Sequence, residues 1–238
     1  MKHPLTPIPA TLLSRPNRFL GIVDLDGEKV ECFIPNPGRM HELMVPGTHV
    51  YLIHKPGEHR KTSYDLTLVE YNDTLVSIDS RLPNYMLREA ISQGKIPEFK
   101  GYKVERTEPS FHDSRLDLKL SDRVNQILLE AKSCTLVEDG IALFPDAPTK
   151  RGARHMNTLI KALEHGKASV CFVIQRDDAK EWRPHVEMDP LFTQNIRKAV
   201  ENGVEAYAYT CRITLEETTI EKRIPVNLEK QAIELETA

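Results

Sequence analysis

The sequence predicts an all-β unit followed by an α/β unit, and three observations carry that reading. Over residues 11–80, short strand-like stretches are divided by turn residues, with no helical periodicity between them. From Leu82 onward, strand-like and helix-like stretches occur in mixed order, which implies a central sheet with helices on both sides. Within that second half, Ile127-Leu128-Leu129 is apolar without alternation, as expected of a strand covered on both faces. We therefore divide the chain into residues 1–81 and 82–238.

In the first unit, strands are expected over 19–23, 30–34, 49–54, 64–71 and 74–78. Asp26-Gly27 between the first two is a tight-hairpin signal, because both central positions of such a turn favour positive φ. Five short strands in so few residues fit a small barrel of the oligonucleotide-binding (OB) type. In the second unit a helix begins at Leu82-Pro83-Asn84 and buries Met86, Leu87, Ala90 and Ile91 before Gly94 closes it. Strands follow over 102–106, 115–120 and 125–136, then a helix over 150–165 with Thr149 as N-cap. A strand over 168–175, a helix over 191–202 and a strand over 205–213 complete the set. Trp182 falls in an expected loop, 177–183.

Chemistry concentrates on two neighbouring strands. Leu116, Leu118 and Leu120 alternate with polar residues, so one face packs and the other carries Asp117. Thirteen residues on, Glu130-Ala131-Lys132 places Glu130 and Lys132 on one side of the next strand. Two carboxylates, completed by water and phosphate oxygens, commonly hold a hard Mg²⁺ or Mn²⁺ ion. An ammonium beside them orients the attacking water and steadies charge on the phosphate. The pattern points to metal-assisted phosphodiester chemistry, with Asp117 and Glu130 as metal ligands and Lys132 as the third catalytic group. A salt-bridge ladder without function would use the same residue types.

The whole chain has a formal net charge of -3, so any nucleic-acid contact must come from local patches. Around the start of the long helix, Lys150, Arg151, Arg154, Lys161 and Lys167 face a single acid, Glu164, and the helix N-terminus adds free N–H groups that favour phosphate. A solvated charged face is the competing reading. A smaller basic group comprises Arg15, Arg18 and the rigid turn Pro35-Asn36-Pro37-Gly38-Arg39. That turn either presents Asn36 and Arg39 outward or fixes a barrel corner. His41, His49, His54 and His59 lack the spacing of a zinc site. The four cysteines form no Cys-x-x-Cys pair and are expected as reduced, buried thiols. With no apolar run of spanning length, a cytoplasmic protein without membrane contact is expected.

Taken in order, Arg18-Phe19-Leu20, Pro35-Asn36-Pro37-Gly38-Arg39-Met40, Ser114-Arg115-Leu116-Asp117, Glu130-Ala131-Lys132-Ser133, and Phe144-Pro145-Asp146-Ala147 with Thr149, Arg151-Gly152 and His155 make the chain resemble the sugar fermentation stimulation protein A (SfsA) family over nearly its whole length. The resemblance implies an OB-type barrel followed by a PD-(D/E)xK, restriction-endonuclease-like α/β domain. It also implies non-specific DNA binding with a regulatory link to sugar use. Asp117, Glu130 and Lys132 match the motif's two acids and lysine, while Leu116 stands where the motif's name has proline. Arg151 and His155 fall where related nucleases place polar helix residues against phosphate. A homodimer is implied only by analogy with other nuclease folds. Since such folds also persist as binding proteins, three functions are carried forward: a DNA-binding protein with a Mg²⁺-dependent phosphodiesterase site, a DNA-binding regulator without cleavage, and a metal-dependent enzyme acting on a small phosphorylated or sugar metabolite.

Overall fold

A computed structural model describes residues 1–3 and 5–229; the end of the expected second unit, residues 230–238, lies outside the described residues. The first sheet holds β1 (Ile8–Asn17), β2 (Leu20–Leu25), β3 (Glu28–Phe33), β4 (His49–His54), β5 (Tyr64–Tyr71) and β6 (Thr74–Ser77) in the order β3-β2-β1-β4-β5-β6. A parallel bridge between Phe33 and Asp65 joins β3 to β5 and closes β1 to β5 into a barrel. Its core is made by inward side chains such as Leu12, Val23, Ile34, Val50, Leu66 and Val69.

Two expectations are corrected here. The fifth barrel strand is β1, which the sequence reading omitted, while 74–77 pairs beyond the closed ring as β6. Prolines hid β1. Pro9 sits where only β4 is paired, since pairing with β2 begins at Thr11, so its missing N–H breaks no ladder. Pro16 lies at a register shift between Ser14 and Asn17, the kind of bulge that tolerates proline.

The second unit begins with α1 (Leu82–Ser92), followed by β7 (Lys103–Thr107), the short pair β8 (Ser110–Phe111) and β9 (Ser114–Arg115), β10 (Leu118–Ser121) and β11 (Gln126–Cys134). Next come β12 (Val137–Glu138), β13 (Ile141–Phe144), α2 (Lys150–Ala162), β14 (Lys167–Ile174), β15 (Glu181–Pro184), α3 (Pro190–Glu201), β16 (Glu205–Ile213) and β17 (Thr218–Ile224). The central sheet runs β17-β16-β14-β11-β10-β7, with β11, β14 and β16 parallel and the outer pairs antiparallel. Helix α1 covers one face, packing Met86, Leu87 and Ile91 against Leu118, Ile127, Leu129 and Val173. Helices α2 and α3 cover the other, packing Met156, Leu159, Phe192 and Ile196 against Leu128, Val170 and Phe172. Continuous hydrophobicity in β11 follows from this double cover.

Trp182, expected in a loop, lies in β15 and is fully buried, stacked on Phe172 with ring centroids 3.9 Å apart. That strand joins β12 and β13 in a separate three-stranded sheet. Four residues pairing in parallel with a distant strand leave no local signal. All four cysteines are free and buried, and no helix among the described residues is long and apolar enough to cross a membrane.

The two units are joined by direct bonds. Ser77 N–H donates to Gln175 O at 3.0 Å, and the Gln175 amide donates to Ser77 O, Ser77 Oγ and Asp79 O while its oxygen accepts from Ser133 Oγ at 2.7 Å.

Candidate active site

The expected strand over 115–120 is broken at Asp117. Leu116 packs with the α2 side of the sheet, whereas Leu118 and Leu120 pack with the α1 side, although all three would share a face in an unbroken strand. A bend at Asp117 makes the switch, while the backbone stays in register through Asp117 N–H to Leu129 O at 3.1 Å. The carboxylate is thereby turned toward the end of β11: Oδ2 accepts from Ala131 N–H at 2.7 Å and Oδ1 from the Asn84 amide at 2.7 Å.

In β11 the period-two rule holds. Leu128, Glu130 and Lys132 face α2, so Lys132 Nζ donates to Glu130 Oε1 at 2.6 Å. On α2, Thr149 caps the helix by accepting from Gly152 N–H at 3.0 Å, and two turns of helix bring His155 over the same carboxylate, with Nδ1 2.5 Å from Glu130 Oε1. Arg151, one turn earlier, donates from Nε to His155 Nε2 at 3.4 Å. A ring that accepts at Nε2 carries its proton on Nδ1, which then donates to Glu130. Glu130 is only 3% exposed; its Oε1 takes both of these bonds and its Oε2 is buried without a partner.

The two acids are differently poised. Burial, and then the adjacent Glu130 charge, push the Asp117 carboxyl up to about 6. Burial also works on Glu130, but the Lys132 ammonium and the bond from His155 outweigh it and hold that carboxyl below the usual range.

These groups line a cavity of about 370 Å³ between the two units. Its walls are the barrel turn 36–38, the start of α1 with Ser80 and Asn84, the end of β11 and the segment 144–152. Of the residues singled out from sequence, Asp117, Glu130, Lys132, Arg18, Asn36 and Arg151 line it; Arg39 and Arg154 stand exposed outside it. Arg15 is turned inward and binds carbonyls instead: its guanidinium donates to Arg18 O at 2.9 Å, to Gly38 O at 2.8 Å and to Arg39 O. Asn36 is likewise buried, donating to Ile78 O and accepting from Gly38 N–H, so it fixes the turn from within.

Sequence reasoning missed Asn84 and Asp146. Asn84 served only as a helix-start signal there, yet it holds Asp117. Asp146 lines the cavity with one carboxylate oxygen 3.4 Å from Met40 N and close against Gly38, where a Cβ would lie 2.3 Å from it. A side chain at residue 38 would displace the Asp146 carboxylate from its present place. An acid bracketed by Pro145 and Pro148 was the available signal.

Two family models match the chain, the SfsA N-terminal OB domain over residues 13–78 and the sugar fermentation stimulation protein RE domain over residues 81–217. The chain belongs to the sugar fermentation stimulation protein family. Family homologues from Desulforamulus reducens and Moorella thermoacetica are 40% and 46% identical, over 93% and 88% of this chain and 92% of each relative. The solved structure of Pyrococcus furiosus SfsA in complex with Ca²⁺ is 30% identical and superposes with a TM-score of 0.88, covering 95% of this chain and 98% of that one. The SfsA fold expected from sequence, an OB barrel joined to a nuclease-like α/β domain, is thus the fold observed, and the cavity lies at the junction of its two parts.

Proposed function

We propose that this protein binds DNA and carries a divalent-metal-dependent phosphodiesterase site of the PD-(D/E)xK type, in which Asp117 and Glu130 hold the cation. The observation that carries this reading is the pair of carboxylates at one cavity, one with a buried oxygen that no protein group satisfies and the other with its pKa raised beside it. Both are the marks of a site that lacks positive charge until a cation enters. Two carboxylates suffice for Mg²⁺ or Mn²⁺, ions that usually keep waters and borrow phosphate oxygens. The Ca²⁺ bound by the Pyrococcus furiosus relative supports divalent-metal use here.

When bound, the cation lowers the pKa of a water and polarises the phosphate. The chain's own residues supply the rest. Asn84 and Ala131 N–H aim the Asp117 carboxylate, while Lys132 and His155 fix Glu130 through Oε1 and leave Oε2 free. Lys132, on the cavity wall beside Glu130, would orient the attacking water. Arg151 and Arg18 are the cations that reach a phosphate in the cavity. His155, with both ring nitrogens engaged, positions Glu130 and Arg151 and does not itself grip phosphate. His155→Ala is then expected to weaken metal binding about 10–100-fold, as removal of an outer-shell partner does. His155→Asn, whose amide replaces the Nδ1 donor, recovers most of it, as read by calorimetric titration with Mn²⁺. Equal affinity of His155→Ala and wild type rules this role out.

A regulator of sugar use that binds DNA without cutting would use the same basic residues, and one experiment separates the two. Labelled single- and double-stranded DNA is incubated with Mg²⁺ or Mn²⁺ and with wild type, Asp117→Ala or Lys132→Ala, binding and cleavage being recorded together. Metal-dependent cutting that both substitutions abolish supports the phosphodiesterase. Binding that falls steeply with salt, without cutting by wild type, supports the regulator.

A further inference from the structure

The turn between β1 and β2, whose Arg18 lines the cavity, bears on whether the ligand is a paired or an unpaired strand. Phe19, in the turn between β1 and β2, is 48% exposed although a phenyl ring gains by burial. It is not loose. Its N–H donates to Asn17 Oδ1 at 2.9 Å, its carbonyl accepts from Ile34 N–H at 2.9 Å, and its ring lies nearly parallel to Phe33, with an interplanar angle of 14° and centroids 6.2 Å apart. An exposed phenyl ring, its backbone bonded on both sides, is thus presented beside the half-buried Phe33.

Arg15 ties this turn to the cavity wall. One guanidinium nitrogen donates to Arg18 O, next to Phe19, and to Gly38 O, in the wall itself. Arg18 lines the cavity that holds Asp117 and Glu130, and Arg39 stands exposed beyond Gly38. Arg18, on the wall of the cavity that holds the acid pair, is thus the chain neighbour of the exposed Phe19, and the exposed Arg39 is tied through its carbonyl to the same Arg15 guanidinium. Phosphate suits the cations, and a π-face suits the phenyl pair. A nucleobase offers that face only when it is not already stacked inside a duplex. The cavity's walls include the barrel turn 36–38 and residues 144–152.

Resting on the nucleic-acid reading above, we propose that the ligand is an unpaired strand, with a base stacked on Phe19 and Phe33 and its phosphates led past Arg39 and Arg18 to Asp117 and Glu130. The test is fluorescence anisotropy of the full chain with labelled oligothymidylate, oligouridylate and a mixed-sequence duplex, without added divalent metal so that nothing is cut. Wild type is expected to bind the unpaired strands more tightly than the duplex. Loss of one stacked base in Phe19→Ala weakens the single strands about 5- to 100-fold. The same variant leaves the duplex within about 2-fold, and Phe19→Trp restores single-strand binding. Because Phe19 is half exposed, the variant keeps its fold, checked by its melting temperature. Binding of the duplex by wild type as tightly as the unpaired strands overturns the proposal. An unchanged single-strand affinity in Phe19→Ala, or an equal loss for strand and duplex, overturns the platform while nucleic-acid binding survives. If wild type binds none of the three, the nucleic-acid reading falls and the platform with it.

Discussion

Glu130→Ala is expected to destabilise the protein by about 3–5 kcal/mol and to remove metal binding together with any metal-dependent cleavage. Glu130 is the hub of the site: the Lys132 ammonium, 12% exposed, and the buried His155 ring both bond to Oε1. Removing the carboxylate leaves a buried cation and a buried donor without partners, the costly way to break an ion pair. Glu130→Gln separates the two consequences. Its amide oxygen still accepts from Lys132 and His155, so much of the stability returns, but its NH₂ replaces the free oxygen and cannot ligate a cation. Urea denaturation alongside Mn²⁺ titration reads both effects. A Gln variant that binds metal as wild type does would show that Glu130 is only a structural partner of Lys132 and His155.

That hub was partly legible in the sequence. Strand alternation alone put Glu130 and Lys132 on one side and Ala131 on the other, and the apolar run 127–129 forced a double cover, because period-two geometry is local. Asp117 was found by its residue type for an incomplete reason. The alternating leucines suggested one continuous face, but a bend at Asp117 sends Leu116 to the α2 side and Leu118 to the α1 side. That bend is set by tertiary packing on both faces, which no window of the sequence reports. The basic residues show the same division. Arg15 and Arg18 look alike as letters, yet Arg15 spends its donors on carbonyls of the barrel turn and Arg18 does not. Which arginine is consumed depends on how β1 meets residues 36–39. His155 is the further case: helical spacing places it on α2, and only the depth of α2 against β11 turns its ring toward Glu130.

Asp117→Asn is expected to act in opposite directions on stability and on function. The Asp117 carboxyl titrates near 6 in the folded protein, against an ordinary value of 3.8, because burial and then the Glu130 charge oppose its ionisation. A raised acid contributes stability that is complete below about pH 3.8 and is lost as pH rises through about 6. Above that window the metal-free protein carries two neighbouring charges, and Asn removes one of them while keeping the shape. The Asn84 amide can rotate to present its oxygen to the new NH₂, and Ala131 N–H keeps an oxygen acceptor. In EDTA at pH 8, Asp117→Asn is therefore expected to be more stable than wild type by about 1–3 kcal/mol, a gain that disappears near pH 4. Mg²⁺ or Mn²⁺ should raise the melting temperature of wild type and leave the variant where it is, since only the wild-type pair is left short of positive charge. A catalytic site held at the expense of stability predicts this crossing of effects. If the variant is no more stable than wild type at pH 8, the acid pair is not under electrostatic strain, and the case for a cation between Asp117 and Glu130 loses its physical basis.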